Sequence, residues 1–162
     1  MLKTLIVFLV FFSSCFAKDE GTSEIQLTGH IVKIIDGDTY DLLLENKTTI
    51  RIRMEGIDAP ERKMPFYQVA KDRLGVICFG REIKIKQSSK DRNGRIIAKT
   101  YLPNGSEVGL LMVKAGLAWH FKKYSSDKIL AQAEVSAREK RQGLWIENNP
   151  MAPWDYRQRK KR

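Results

Sequence analysis

Five charged residues set the chemical question: Asp38, Arg53, Asp58, Glu61 and Arg95. They stand in three short runs, Ile35-Asp36-Gly37-Asp38-Thr39, Arg53-Met54-Glu55-Gly56-Ile57-Asp58-Ala59-Pro60-Glu61 and Asp91-Arg92-Asn93-Gly94-Arg95. Acidic oxygen donors together with guanidinium groups can hold a hard divalent cation and a phosphate at one point. Carboxylates and backbone carbonyls suit Ca²⁺ or Mg²⁺. The two histidines, His30 and His120, are too few and too separated to argue for zinc. A cation held by such a set polarises a phosphate and lowers the pKa of a bound water, and a neighbouring carboxylate can orient or deprotonate that water. Arginines neutralise the charge that grows on the phosphate oxygens, and their planar fork does this better than lysine. Each run alone also has an ordinary reading. Asp36-Gly37 is a hairpin-turn signal, acids near Pro60 suit a helix start, and Asp91 to Gly94 reads as another turn. The joint occurrence argues for phosphodiester chemistry.

These side chains need rigid carriers. Residues 25–35 alternate as a strand, with Ile31, Lys33 and Ile35 opposed to Val32 and Ile34, and residues 39–44 continue as a second after the Asp36-Gly37 turn. In a third strand, residues 48–54, Ile50, Ile52 and Met54 share one face while Arg51, Arg53 and Glu55 share the other. Pro65 suits the first turn of a helix carrying Phe66, Val69, Ala70, Leu74 and Ile77, with Gly80 as its stop. Residues 81–87 and 95–102 read as two more strands. Ser106 can cap a short helix ended by Gly116, and a last helix runs from Ser125-Ser126-Asp127 to Gln142, before Gly143. Five short strands with mixed helices predict an α+β domain: a five-stranded oligonucleotide-binding (OB-fold) β-barrel with about three packed helices.

The chain has 162 residues, 43% hydrophobic and 30% charged, which suits one globular domain and excludes a disordered chain. Its formal net charge is +10 and its pI about 9.7. That balance favours a polyanion partner, nucleic acid first and an anionic membrane surface second. Lys3, the apolar run 5–12 and Ser13-Ser14-Cys15-Phe16-Ala17 have the form of a secretory signal, with an apolar run too short to span a bilayer. The expected organisation is a signal peptide over 1–17, a flexible segment over 18–24, the domain over 25–146 and a basic tail over 147–162. The tail, with five basic residues and one acidic residue from Pro153 to Arg162, reads as a solvated, frayed end, or as a strand of charge that holds nucleic acid. Cleavage after Ala17 makes the protein secreted or periplasmic. Lipidation of Cys15, which would anchor it, is the alternative. Cys78 is then alone in an apolar run and reads as a buried, inert thiol. The expected state is a monomer with no obligatory protein partner.

In order along residues 29–145, the motifs Ile-Asp-Gly-Asp-Thr, Arg53 with Asp58-Ala59-Pro60-Glu61 beginning five residues on, Asp91-x-x-Gly94-Arg95, Gly116-Leu117-Ala118-Trp119 and Gly143-Leu144-Trp145 resemble the staphylococcal nuclease (thermonuclease) family of secreted Ca²⁺-dependent nucleases. The resemblance implies the OB-fold barrel with added helices. It implies Ca²⁺ held by Asp38, Asp58 and the backbone carbonyl of Ala59. Glu61 would be the general base or the residue that orients water, and Arg53 and Arg95 would clamp the phosphate. The implied reaction is hydrolysis of DNA and RNA to products ending in 3′-phosphate. Arg92, Asn93, Phe121 and Tyr124 fall where the family contacts substrate. Two departures stand out. The family archetype has Thr at the place of Ala59 and an aromatic at the place of Asn93. Two other classes compete: a non-catalytic nucleic-acid-binding OB-fold module and a basic surface adhesin. Retention of Glu61 beside the two aspartates favours the enzyme, because a pure binding module gains nothing from an extra carboxylate that repels the phosphate backbone.

Overall fold

The computed structural model describes residues 25–161; the expected leader 1–17, the segment 18–24 and Cys15 lie outside them. The alternating segments form β1 (Ile25–Ile34), β2 (Thr39–Leu44) and β3 (Thr49–Met54), followed by the two-residue β4 (Ile57–Asp58). Helix α1 (Tyr67–Cys78) precedes β5 (Glu82–Lys90) and β6 (Ile96–Tyr101). The second half carries α2 (Val108–Lys114), β7 (Trp119–His120), α3 (Lys128–Glu139), a 3-10 turn at Gly143–Ile146 and α4 (Pro153–Arg159). Five strands close a barrel in the order β1-β2-β3-β6-β5, with β5 returning to β1. All its pairings are antiparallel except β3 with β6, which run parallel. The predicted α+β OB-fold barrel is therefore present.

Inward positions carry Ile31, Tyr40, Leu42, Ile52, Met54, Ile83, Ile85 and Ala98, all buried in one core. Burial of each large aliphatic side chain contributes about 1.5–3 kcal/mol. The buried Tyr40 hydroxyl is satisfied by Thr100 Oγ1 at 2.7 Å. In β1 the simple alternation fails at one point. Ile31 faces Leu42, but Lys33 faces Asp41, so a bulge absorbs Val32 and leaves that side chain exposed. The bulge lies just before the turn that carries Asp38.

Helix α1 turns Ala70, Leu74, Ile77 and Cys78 to the core. Burial pushes the Cys78 thiol up to about 12, as an inert thiol requires. Pro65 lies outside this helix. Phe66 occupies the N-cap at φ 62°, and Val69, expected on the buried stripe, is exposed. The N-cap of α2 is Glu107 rather than Ser106, and it makes no side-chain cap. Asp127 caps α3, accepting from Ile129 N at 2.8 Å and Leu130 N at 3.3 Å. A fourth helix, α4, stands beside the expected three. The segment read as a frayed end is thus ordered, and it packs by a second apolar cluster of Trp119, Ala137, Leu144, Trp145 and Ala152, with Trp154 against it.

Gly116 and Gly143 explain the two late glycine motifs. A Cβ on Gly116 would lie 2.1 Å from Gln142 O, and one on Gly143 would lie 2.3 Å from Gly116 O. Both take positive φ, and Leu144 N donates to Gly116 O at 2.9 Å. This close backbone crossing sets Trp119 edge-on to Trp145, with ring centroids 5.3 Å apart.

Candidate active site

Asp38 ends the turn between β1 and β2, and its side chain is almost wholly buried. The turn is organised by Asp36, whose Oδ1 accepts from Asp38 N at 3.0 Å. Burial and the neighbouring Asp38 carboxylate push Asp36 up to about 7. Gly37 is required there for space: a Cβ would meet the Cβ atoms of Ala59 and Ala70, each at 2.8 Å. Gly37→Ala should therefore destabilise the fold by about 1–3 kcal/mol, the usual cost of overpacking. Urea unfolding checks this, and unchanged stability would mean the turn has slack.

Strand β3 carries Arg53 on its outward face, as the alternation predicts, and β4 carries Asp58. Asp58 is buried and opposes Trp119 of β7, so a short ladder fixes its backbone. The Arg53 guanidinium lies between the two aspartates. Its Nε is 3.2 Å from Asp38 Oδ1, and its Nη2 donates to Asp58 Oδ1 at 2.7 Å. Asp38 also accepts from Thr39 Oγ1 at 2.9 Å and from Ala59 N at 2.6 Å. That last bond ties the Asp38 turn directly to the Asp58-Ala59 segment. Burial raises the pKa of Asp58, opposed by its bonds to Arg157 and the charge of Arg53.

Glu61 joins the group through a residue that sequence reading missed. Arg157, on α4, donates through Nη1 to Glu61 Oε1 at 2.6 Å and through Nη2 to Asp58 Oδ2 at 2.7 Å. The signals for it were present. Pro153 opens a helix, Asp155 occupies its first turn, and Trp154 is too large and apolar for a solvated tail.

Arg95 is not brought into contact with these groups. It bonds Asp91, Nε to Oδ2 at 2.8 Å, and holds that half-buried carboxyl below its usual range despite some loss of water. Its backbone position is favourable nonetheless. The β3–β6 register places Ile97 opposite Arg53, so Arg95, two residues before Ile97, shares the parity of the outward face.

Phe121 and Tyr124 pack edge-to-face with centroids 4.9 Å apart, and Phe121 stacks on Trp154 at 5.1 Å. They line an open groove of about 1080 Å³ together with Arg92, Lys122 and Arg157. Arg157 is the wall residue that links this groove to the carboxylates. Asn93 stays on the exposed Asp91–Gly94 turn, its N–H bonded to Asp91 Oδ1 at 2.9 Å. Buried His120 meets Ser125 Oγ at 3.2 Å, a structural contact.

The donor chemistry fits a hard cation. Asp38 and Asp58 offer only oxygen, from buried positions facing a common guanidinium, with the Ala59 backbone beside them. Among the described residues no three carboxylate, histidine or cysteine side chains form a closed metal cage. Two carboxylates plus a carbonyl leave positions for water and phosphate, as such cations accept.

Comparison with known proteins gives the family. The family model described as staphylococcal nuclease homologue matches residues 51–147. An Escherichia coli protein named "Uncharacterized endonuclease" is 35% identical over 132 residues, covering 82% of this chain and 86% of that one. A Haemophilus influenzae protein of the same name is 35% identical over 161 residues, covering 99% of this chain and 86% of its own. "Micrococcal nuclease" of Shigella flexneri is 35% identical over 143 residues, covering 82% of each. By sequence and by architecture, the chain belongs to the staphylococcal nuclease family.

Proposed function

We propose that the protein is a divalent-cation-dependent nuclease, with Ca²⁺ as the resident ion, that hydrolyses DNA and RNA to products ending in 3′-phosphate. The observation that carries this reading is the single Arg53 guanidinium held within 3.2 Å of Asp38 and 2.7 Å of Asp58. Asp38, Asp58 and the Ala59 carbonyl would hold the ion, which when bound supplies polarisation of the phosphate and a lowered water pKa. Arg53 donates to phosphate oxygens from a rigid strand, so its charge is in place before the reaction begins. Arg95 approaches from the same face once it leaves Asp91. Glu61 takes the proton of the attacking water. The water oxygen bonds to phosphorus, the bond to the 5′ oxygen breaks, and that oxygen leaves and takes its proton from solvent water. The basic groove and its aromatic wall, with Tyr124 exposed, suit single-stranded substrate, whose bases stack on aromatic rings. The leader reading adds export, as a secreted or periplasmic monomer, which mass spectrometry of the mature N-terminus checks.

Glu61→Gln tests the assignment. It keeps the shape of the side chain and removes the base. Turnover on single-stranded DNA should fall by about 10²–10⁴-fold while DNA affinity changes little. Equal loss of both would point to a misfolded site, unchanged turnover would remove Glu61 from the role of base, and absence of cleavage by the wild type would leave the non-catalytic binding module as the better reading.

A further inference from the structure

Arg157 stands on the last helix, yet its guanidinium grips the carboxylates that the reading above assigns to the ion and the water. It meets Asp58 Oδ2 at 2.7 Å, Asp58 Oδ1 at 3.2 Å and Glu61 Oε1 at 2.6 Å. Arg53 meets Asp58 Oδ1 at 2.7 Å. Both oxygens of Asp58 therefore accept from guanidinium groups, one of them from Arg157 alone among the described contacts. The Arg157 position is built by the fold. Pro153 and Ala152 are buried, Trp154 lies flat on Phe121 with 2° between ring planes, and the Tyr156 hydroxyl reaches Arg62 O at 3.4 Å.

A divalent ion on Asp58 needs the same lone pairs and repels the same guanidinium. Three anionic side chains, Asp38, Asp58 and Glu61, face two arginines, so the site is close to neutral as it stands. Adding two further positive charges without moving one out leaves an excess in a poorly solvated place. Arg53 is buried between both aspartates, whereas the Arg157 side chain is 39% exposed at the groove wall. Arg157 is the one that can leave.

We propose that Arg157 is a built-in cation that holds Asp58 and Glu61 until a divalent ion takes Asp58 from it, so that α4 is a latch on the active site released by the metal. The proposal rests on the reading of Asp38 and Asp58 as ion ligands.

Calorimetric titration of the mature protein with CaCl₂, without nucleic acid, tests it. Arg157→Gln should bind Ca²⁺ about tenfold tighter or more, because a competing charge pair is gone. Arg159→Gln removes the same charge from an exposed position on the same helix and should change the affinity by less than about threefold. Equal or weaker binding by Arg157→Gln overturns the latch, and so does an equal gain in Arg159→Gln, which would mean only bulk charge. A second readout needs no variant. Amide hydrogen exchange over residues 153–159 of the wild type should quicken when Ca²⁺ is added, and unchanged or slower exchange overturns the latch. Asp38→Asn separates the two claims. Ca²⁺ binding that persists in it, or its absence from the wild type and Arg157→Gln alike, overturns the metal-centre reading and the latch with it.

Discussion

Arg53→Met should be the most damaging single change at this site. The guanidinium is the shared partner of two buried carboxylates, at 3.2 Å from Asp38 and 2.7 Å from Asp58. Removing it leaves both without that partner, which typically costs about 3–5 kcal/mol of stability. It also deletes a preorganised donor for the phosphate, worth about 10²–10³-fold in turnover. The two effects can be separated. Arg53→Lys keeps the charge and loses the fork, so its melting temperature should recover most of the loss while its turnover stays low. Thermal unfolding and single-turnover cleavage of the two variants give the answer. A methionine variant that melts and cleaves like the wild type would remove Arg53 from both roles.

Removal of divalent cations should be equally complete. With a chelator in excess, cleavage of single-stranded DNA should fall to background, and Ca²⁺ should restore it. Binding of the ion also has a signature independent of cleavage. A ligand at 100 times its Kd stabilises the folded state by about 2.7 kcal/mol, so the melting temperature should rise with added Ca²⁺. Digestion that continues in chelator, with no melting shift on adding Ca²⁺, would discard the cation mechanism and leave Arg53 and Glu61 to be explained as binding groups.

The parts of the fold written in short-range patterns were legible. Ile50, Ile52 and Met54 on one face put Arg53 on the other, and the structure has that arrangement because period two is a local property of an extended chain. The Asp36-Gly37 turn could be read for the same reason. Parity broke at Val32, where a bulge inserts one residue into β1 between Ile31 and Lys33, neither of them a glycine or proline. The start of α1 was misplaced because Pro65 suits a first helical turn, whereas the structure spends Phe66 in a left-handed conformation before the helix begins. Longer-range facts were hidden. The parallel pairing of β3 with β6 depends on barrel closure, and nothing near Arg53 in the chain names its neighbour. Arg157 was missed because a run of basic residues outweighed Pro153 and Trp154 in the reading of the tail. Its contact with Asp58 spans 99 residues of sequence, a distance over which composition carries no signal.

Barrel closure has one more consequence. Each strand of the barrel has a neighbour on both sides along part of its length, so no strand of the ring is bare along a whole edge. The other sheet among the described residues is only two residues long in each strand. β1, like every strand of the ring, is hydrogen-bonded to two neighbours, here β2 and β5. Peeling it away would bare two sticky borders at once. A lesion in β1 therefore threatens clumping between molecules before it threatens chemistry.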